Sequence, residues 1–354
     1  MKVYKFPKIE QFRNVINSVK YNTQIIGKNE NNEPIFDETI PLPTLKYRGS
    51  VKLNGTNAGI VFKYDEKTNK YTHQVQSRTR IITPIDDNYG FATFVNSLPL
   101  KSLLELLPQT NLAGQPYGVT KYPTIRIYGE WCGDNIQKGV ALNQLDKMYV
   151  IFAVKIDNVW ISDEHLKNIK LPDNKVFNIL DYKVYNIKID FNNPKESAEK
   201  ISKLVDEVEN ECPVGKAFGK SGIGEGIVWI CKEEGWTNSR YWFKTKGEKH
   251  SDTKKDKKNK VPVDTAKINK INELVEFLVT EHRLLKGIDY LKENNYEITR
   301  KSTGLYLKWI YNDVVKEEID TIIDNGFKPK EISKKISNYA RTWFFKYIDE
   351  LIGL

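Results

Sequence analysis

SVKLNGTNAGIVF, residues 50–62, decides how this chain is read. A lysine, Lys52, closes a run with strand character, a glycine follows three positions later, and a second β-branched run begins at once. The lysine then stands at a strand end, where the loop leaves room for a ligand. Lysine at a strand end is by default a solvated charge, and a lysine followed by a glycine three residues on is frequent. The neighbours give this one its weight.

Working outward, the same strand vocabulary recurs up to about residue 246. Candidate strands are AGIVFKY (58–64), YTHQVQS (71–77), TIRIYGEW (124–131), MYVIFAVKI (148–156), VYNIKIDF (184–191), GIVWIC (226–231) and RYWFKTK (240–246). All are rich in Val, Ile, Tyr, Phe and Trp. Asp157-Asn158 and 233–239 read as turns. Helices are expected at about 8–19, 99–107 and 195–211. Connections this short cannot join parallel neighbours, so the sheet is expected to be mostly antiparallel and the class α+β.

Several of these strands bring groups that suit phosphate chemistry. QSRTR (76–80) supplies Arg78 and Arg80, read as lying on a strand. RIYGEW (126–131) supplies Glu130, IFAV (151–154) supplies Phe152, and GEGIVWI (224–230) supplies Glu225. FKTK (243–246) presents Lys244 and Lys246, which share one face of a strand because side chains alternate. Two acids at strand ends suit a hard divalent cation that keeps some of its water. A lysine, two acids, a basic pair and an aromatic ring on one predicted sheet make a nucleotidyl-transfer site.

From about residue 247 to 263 the composition changes. From Lys244 to Lys260 there are eight lysines against Glu248, Asp252 and Asp256, with almost no apolar anchor. Such a stretch reads as a linker, with a solvated tether and a polyanion contact as equal alternatives. After Pro262 the period becomes helical. Ile332, Ile336, Tyr339, Trp343, Tyr347 and Leu351 fall on one face, and a second amphipathic helix covers about 304–324. These aromatics are expected to pack a core. The expected organisation is thus residues 1–250, a Lys-rich linker at 251–263, and an all-α domain at 264–354.

The bulk properties narrow the class. The 354 residues carry a formal net charge of +9, and a positive excess favours polyanionic partners. No apolar run approaches the roughly 20 residues needed to cross a bilayer, so no membrane association is expected. Cys132, Cys212 and Cys231 have no paired spacing, which suggests neither a disulfide framework nor a zinc site and favours a reducing compartment.

In order, KLNGTN, SRT, YGEW, IFAVKI, EGIVW and FKTK resemble motifs I, Ia, III, IIIa, IV and V of the covalent nucleotidyltransferases. GDNIQKGVA (133–141) and the tail stretches TEHRLLKGIDYL and ISNYARTWFFKYIDEL are similar to the RNA ligase 2 branch in particular. The resemblance implies an adenylyltransferase domain followed by a helical domain, and an ATP-dependent RNA ligase. Lys52 would be the nucleophile that carries AMP, and Lys244 and Lys246 would neutralise the α-phosphate. Asn57, Arg78 and Glu130 would contact the ribose or nearby phosphates. Phe152 would stack on adenine, and Glu225 would bind Mg²⁺ or Mn²⁺. RNA strand ends, at a duplex nick or in single strands, would be the partner of a cytoplasmic monomer serving RNA repair. The Lys/Asn/Ile-heavy composition also suits a viral protein in its host's cytoplasm. Asn54 departs from the family pattern, since nick-sealing relatives more often carry His there and DNA ligases Asp.

Overall fold

A computed structural model describes residues 2–134, 136, 139–247 and 266–351, with the backbone alone for 266–270. The expected linker at 251–263 lies outside the described residues, as do Asn135, Gln137 and Lys138 of the GDNIQKGVA stretch. The chain divides into two compact units, Met1–Gly247 and Glu248–Leu354.

The first unit opens with β1 (Glu10–Gln11), α1 (Phe12–Gln24) and a hairpin of β2 (Ile25–Lys28) and β3 (Pro34–Phe36). Then come β4 (Thr44–Lys52), β5 (Thr56–Asp65), β6 (Lys70–Ser77) and β7 (Ile81–Ile82). Two short helices, α2 (Phe91–Asn96) and α3 (Leu100–Glu105), lead to β8 (Ile125–Cys132), β9 (Met148–Ile156) and β10 (Val159–Trp160). After α4 (Asp163–Leu166) follow β11 (Val176–Asn178), β12 (Val184–Asp190), α5 (Pro194–Asn210), α6 (Pro213–Ala217), β13 (Gly226–Cys231) and β14 (Phe243–Lys246).

Two sheets result. The first runs β1-β14-β13-β4-β12, and the second runs β10-β9-β8-β5-β6-β7 with β11 beside β9. Pairing is antiparallel except for β1 with β14 and β11 with β9. The fold is therefore α+β with mostly antiparallel sheets. The turn expected at Asp157-Asn158 joins β9 to β10, and Asp157 takes the left-handed backbone (φ 48°) that tight hairpins need. The first helix starts later than its sequence suggests, because residues 2–9 carry no regular secondary structure and Glu10–Gln11 are drawn into a sheet.

Alternation along each strand separates two faces. Leu45, Tyr47 and Val51 of β4 join Trp229 and Phe243 in a core with Val15 and Val19 of α1 and Val205 of α5. Ile60, Ile127 and Ile151 of the second sheet pack on Phe91 and Val95 of α2 and Leu166 of α4. Helices thus cover one face of each sheet. The remaining faces border a common cavity of about 1310 Å³, with Arg48 and Ile230 from the first sheet and Arg126, Tyr128 and Phe152 from the second.

The second unit holds α7 (Ala266–Leu278), α8 (Glu281–Glu293), α9 (Thr303–Asp324) and α10 (Pro329–Leu351). Ile332, Ile336, Phe344 and Ile348 of α10 share a core with Tyr306, Ile310 and Val314 of α9. Pro329 opens α10, where a missing N–H costs nothing. Arg283 is fully buried between helices, a placement that demands paired charge. It donates to Asp313 Oδ2 at 3.0 Å and lies 3.5 Å from Glu318 Oε1. Glu318 is also where α9 leaves helical geometry, so the ion network sits on the kink. No helix among the described residues is long and apolar enough to cross a membrane.

Candidate active site

The register of the first sheet builds the site. Gly226 of β13 lies opposite Lys52 of β4 on one side and Lys246 of β14 on the other. Residues directly opposite in a ladder point to the same face, so Lys52 and Lys246 flank the start of β13 from both sides. Glu225, immediately before that strand, fills the gap. Its Oε2 accepts a hydrogen bond from Lys52 Nζ at 2.5 Å, and its Oε1 lies 3.4 Å from Lys246 Nζ. Glu225 is only 3% exposed. Two ammonium groups therefore face this buried side chain.

Gly226 is required by this arrangement. Its φ is 150°, and a Cβ there would collide with the backbone oxygen of Thr245. The Glu-Gly pair of the sequence is therefore one device: the glycine lets β14 come close, and the acid reaches both lysines. Lys244 lies opposite Val228, two residues along β14 and on the same face as Lys246.

The second sheet supplies the other residues in one row, and of the eight expected site residues only Phe152 lines the cavity itself. Asn57 of β5 is opposite Glu130 of β8, and Glu130 is opposite Val150 of β9. Gly55 connects this row to Lys52, since a Cβ on it would sit 2.9 Å from Glu130 Cγ. Phe152 follows Val150 at a register shift in which Tyr128 faces Ala153 and Gly129 faces Ile151. Phe152 is thus the extra residue of a β-bulge, a device that re-aims a side chain.

Arg78 differs from its expected placement. The strand β6 ends at Ser77, and Arg78 and Arg80 lie in the bend beyond it. Arg80 is held by Asp86 at 2.6 Å, while Arg78 is exposed and makes no hydrogen bond or ion pair with the described residues. The β5–β6 pairing stops at Ala58 and Ser77, so Arg78 has no register partner in the row. The structure brings Lys52, Glu225 and Lys246 into direct contact and aligns Asn57 with Glu130. It does not show Phe152 or Arg78 touching that trio. Asn54 is buried beside them, and its side-chain oxygen accepts no hydrogen bond among the described residues.

Other groups in the crevice were not read from the sequence. Arg48 is 5% exposed and lies 3.1 Å from Asp163, which also takes Lys232 at 3.0 Å. Desolvation lowers the Arg48 pKa against the pull of Asp163. Burial also lowers Lys155, with Arg126 nearby adding repulsion. Arg48 stands four residues before Lys52 on the same strand, so the two-residue period could have found it. Trp160 and Trp242 line the crevice as well, with ring centroids 5.3 Å apart. Cys132, Cys212 and Cys231 are buried and free.

Comparison with known proteins adds one family. A family model described as RNA ligase matches residues 46–246, more than half of the chain. No curated protein matches the sequence. Among solved structures the chain is similar to Naegleria gruberi RNA ligase with pyrophosphate, at 16% identity and a TM-score of 0.41. A point mutant of that ligase with AMP and manganese matches at 16% and a TM-score of 0.40. Each alignment covers 69% of this chain and 56% of that one. The chain thus spans little more than half the length of the ligases it matches.

Proposed function

The chain belongs to the RNA ligase family, and from that premise we propose that it joins RNA 3′-hydroxyl and 5′-phosphate ends with ATP, through AMP carried on Lys52. The observation that supports the reading is the Lys52–Glu225–Lys246 arrangement across three adjacent strands.

Lys52 Nζ must lose a proton before it can attack, since an ordinary lysine is neutral in only about one molecule per thousand near neutral pH. Its lone pair then forms an N–P bond to the α-phosphate as the bond to the bridging oxygen breaks and pyrophosphate leaves. Lys246 and Lys244 face the same space and neutralise the phosphate oxygens as charge builds. Asn57, Glu130 and Arg78 hold the ribose and neighbouring phosphates, and Phe152 stacks on the base. The AMP next passes to a 5′-phosphate, and a 3′-hydroxyl displaces it to seal the strand.

Among the described residues no three His, Cys, Asp or Glu side chains cluster as a metal cage. Glu225, whose two oxygens face Lys52 and Lys246, would be the carboxylate that holds Mg²⁺ or Mn²⁺, with water and substrate phosphates completing its coordination. When bound there, the cation would supply further neutralisation of the phosphate charge. The residues 1–250 would form the adenylyltransferase domain and 264–354 the helical domain.

The test is end-joining assayed side by side on nicked RNA duplex, nicked DNA duplex and single-stranded RNA, with ATP or GTP. The expected result is ATP-dependent joining of RNA ends. Joining of DNA alone, or transfer of GMP without joining, would remove the reading in favour of a DNA ligase or a capping enzyme.

A further inference from the structure

Residues 2–9 carry no regular secondary structure, yet their path is fixed at both ends. Tyr4 N donates to Gln76 Oε1 at 3.0 Å, and Gln76 Nε2 donates to Tyr4 O at 2.7 Å. Lys63 and Arg126 lie over the Tyr4 ring at 4.9 and 4.6 Å from its centroid. At the other end Glu10 and Gln11 pair with Phe243 and Lys244 of β14. The segment therefore crosses from the crevice face of one sheet to the edge of the other.

Between the two anchors Phe6 stands among four rings. Its centroid is 5.0 Å from Phe152, 5.2 Å from Tyr128, 5.7 Å from Trp160 and 6.1 Å from Trp242. The Phe152 contact is edge-on at 69°, a favourable geometry for aromatic pairs. Lys5 and Pro7, on either side, line the cavity. Phe6 belongs to none of the three apolar cores, so core packing does not account for it. What it does touch is the site ring that sits in a bulge, Phe152, whose other packing is against the first core.

We propose that this segment is part of the nucleotide site, and that Phe6 is a positioning residue that fixes the Phe152 ring for the base of ATP. The proposal rests on the Lys52 reading above. A base stacks best on a ring already held in place, because the entropy of ordering that ring is not then charged to binding. The same segment runs on to Lys244 through Gln11, so the walls for base and phosphate are braced by one stretch of chain. Phe6 acts on affinity for the nucleoside part and leaves the phosphate chemistry alone.

The experiment measures AMP loading of the full chain against ATP concentration, and the reverse step, in which pyrophosphate takes the AMP group off the loaded protein as ATP, against pyrophosphate concentration. Phe6→Ala should raise KM for ATP about tenfold while the saturated rate changes less than about threefold. Its half-saturation by pyrophosphate, which has no base, should stay within about twofold of the native value. Phe6→Tyr should restore KM for ATP. Should Phe6→Ala fail to fold, Phe6→Leu keeps most of the apolar volume without the ring and carries the same expectation. An unchanged KM for ATP in a folded variant overturns the proposal. A parallel rise for ATP and pyrophosphate does so too, since it marks general loosening. Failure of the native chain to load AMP at all would instead count against the Lys52 reading.

Discussion

Glu225 is almost excluded from water, and its two oxygens face two different ammonium groups. Removing one partner of a buried charge leaves the other charge to its remaining contacts. In Lys246→Ala the phosphate would lose a cation in the transition state. A preorganised charge of that kind contributes on the order of a hundredfold or more in rate. Phe152→Ala removes a stacking contact, for which about tenfold to a hundredfold in affinity is the scale. Lys246→Ala should therefore lower AMP loading at saturating ATP far more than Phe152→Ala does. Equal losses in single-turnover loading would contradict the assigned roles. Lys52, Glu225 and Lys246 were legible in the sequence because strand ends and a two-residue period mark them. Phe6 was not, because nothing local signals that an extended segment crosses to a distant sheet.

Strands and helices carried different amounts of information. The antiparallel sheets were readable from β-branched runs and short links, and the Asp157-Asn158 turn from its residue types. Arg78 was placed on a strand that in fact stops at Ser77, since the apolar alternation gives no end signal there. The helical unit was readable from period, but not its ionic detail. On α8, burial pushes the half-buried carboxyl of Asp289 up to about 7, with Glu293 adding to the rise and Lys292 and Lys286 opposing it. A folded state that holds an acid's proton more tightly than the unfolded chain gains stability at low pH. That contribution is complete below about pH 4 and is lost as pH rises to about 7, leaving a cost on the order of 1–2 kcal/mol after allowing for partial exposure. Asp289→Asn should accordingly melt at a higher temperature than the native chain above pH 7 and match it near pH 4. A melting difference that does not change between those pH values would rule out this account of Asp289.

Taken whole, the molecule pairs a two-sheet unit, which contains all eight predicted site residues, with a separate helical unit. The order of motifs along the chain was enough to suggest the family, because six short patterns in sequence rarely coincide by chance. How they converge was not legible, since it depends on β13 lying between β4 and β14 although residues far apart in the chain form those strands. The net charge of +9 suits a polyanionic substrate but does not choose one. The most direct test is to incubate the purified chain with Mg²⁺ and ATP labelled at the α-phosphate, digest it, and locate the label. The account predicts one AMP per chain, acid-labile as a phosphoramidate, on the peptide containing Lys52, and none in a folded Lys52→Ala variant. Label on another residue, or undiminished labelling of Lys52→Ala, would contradict it.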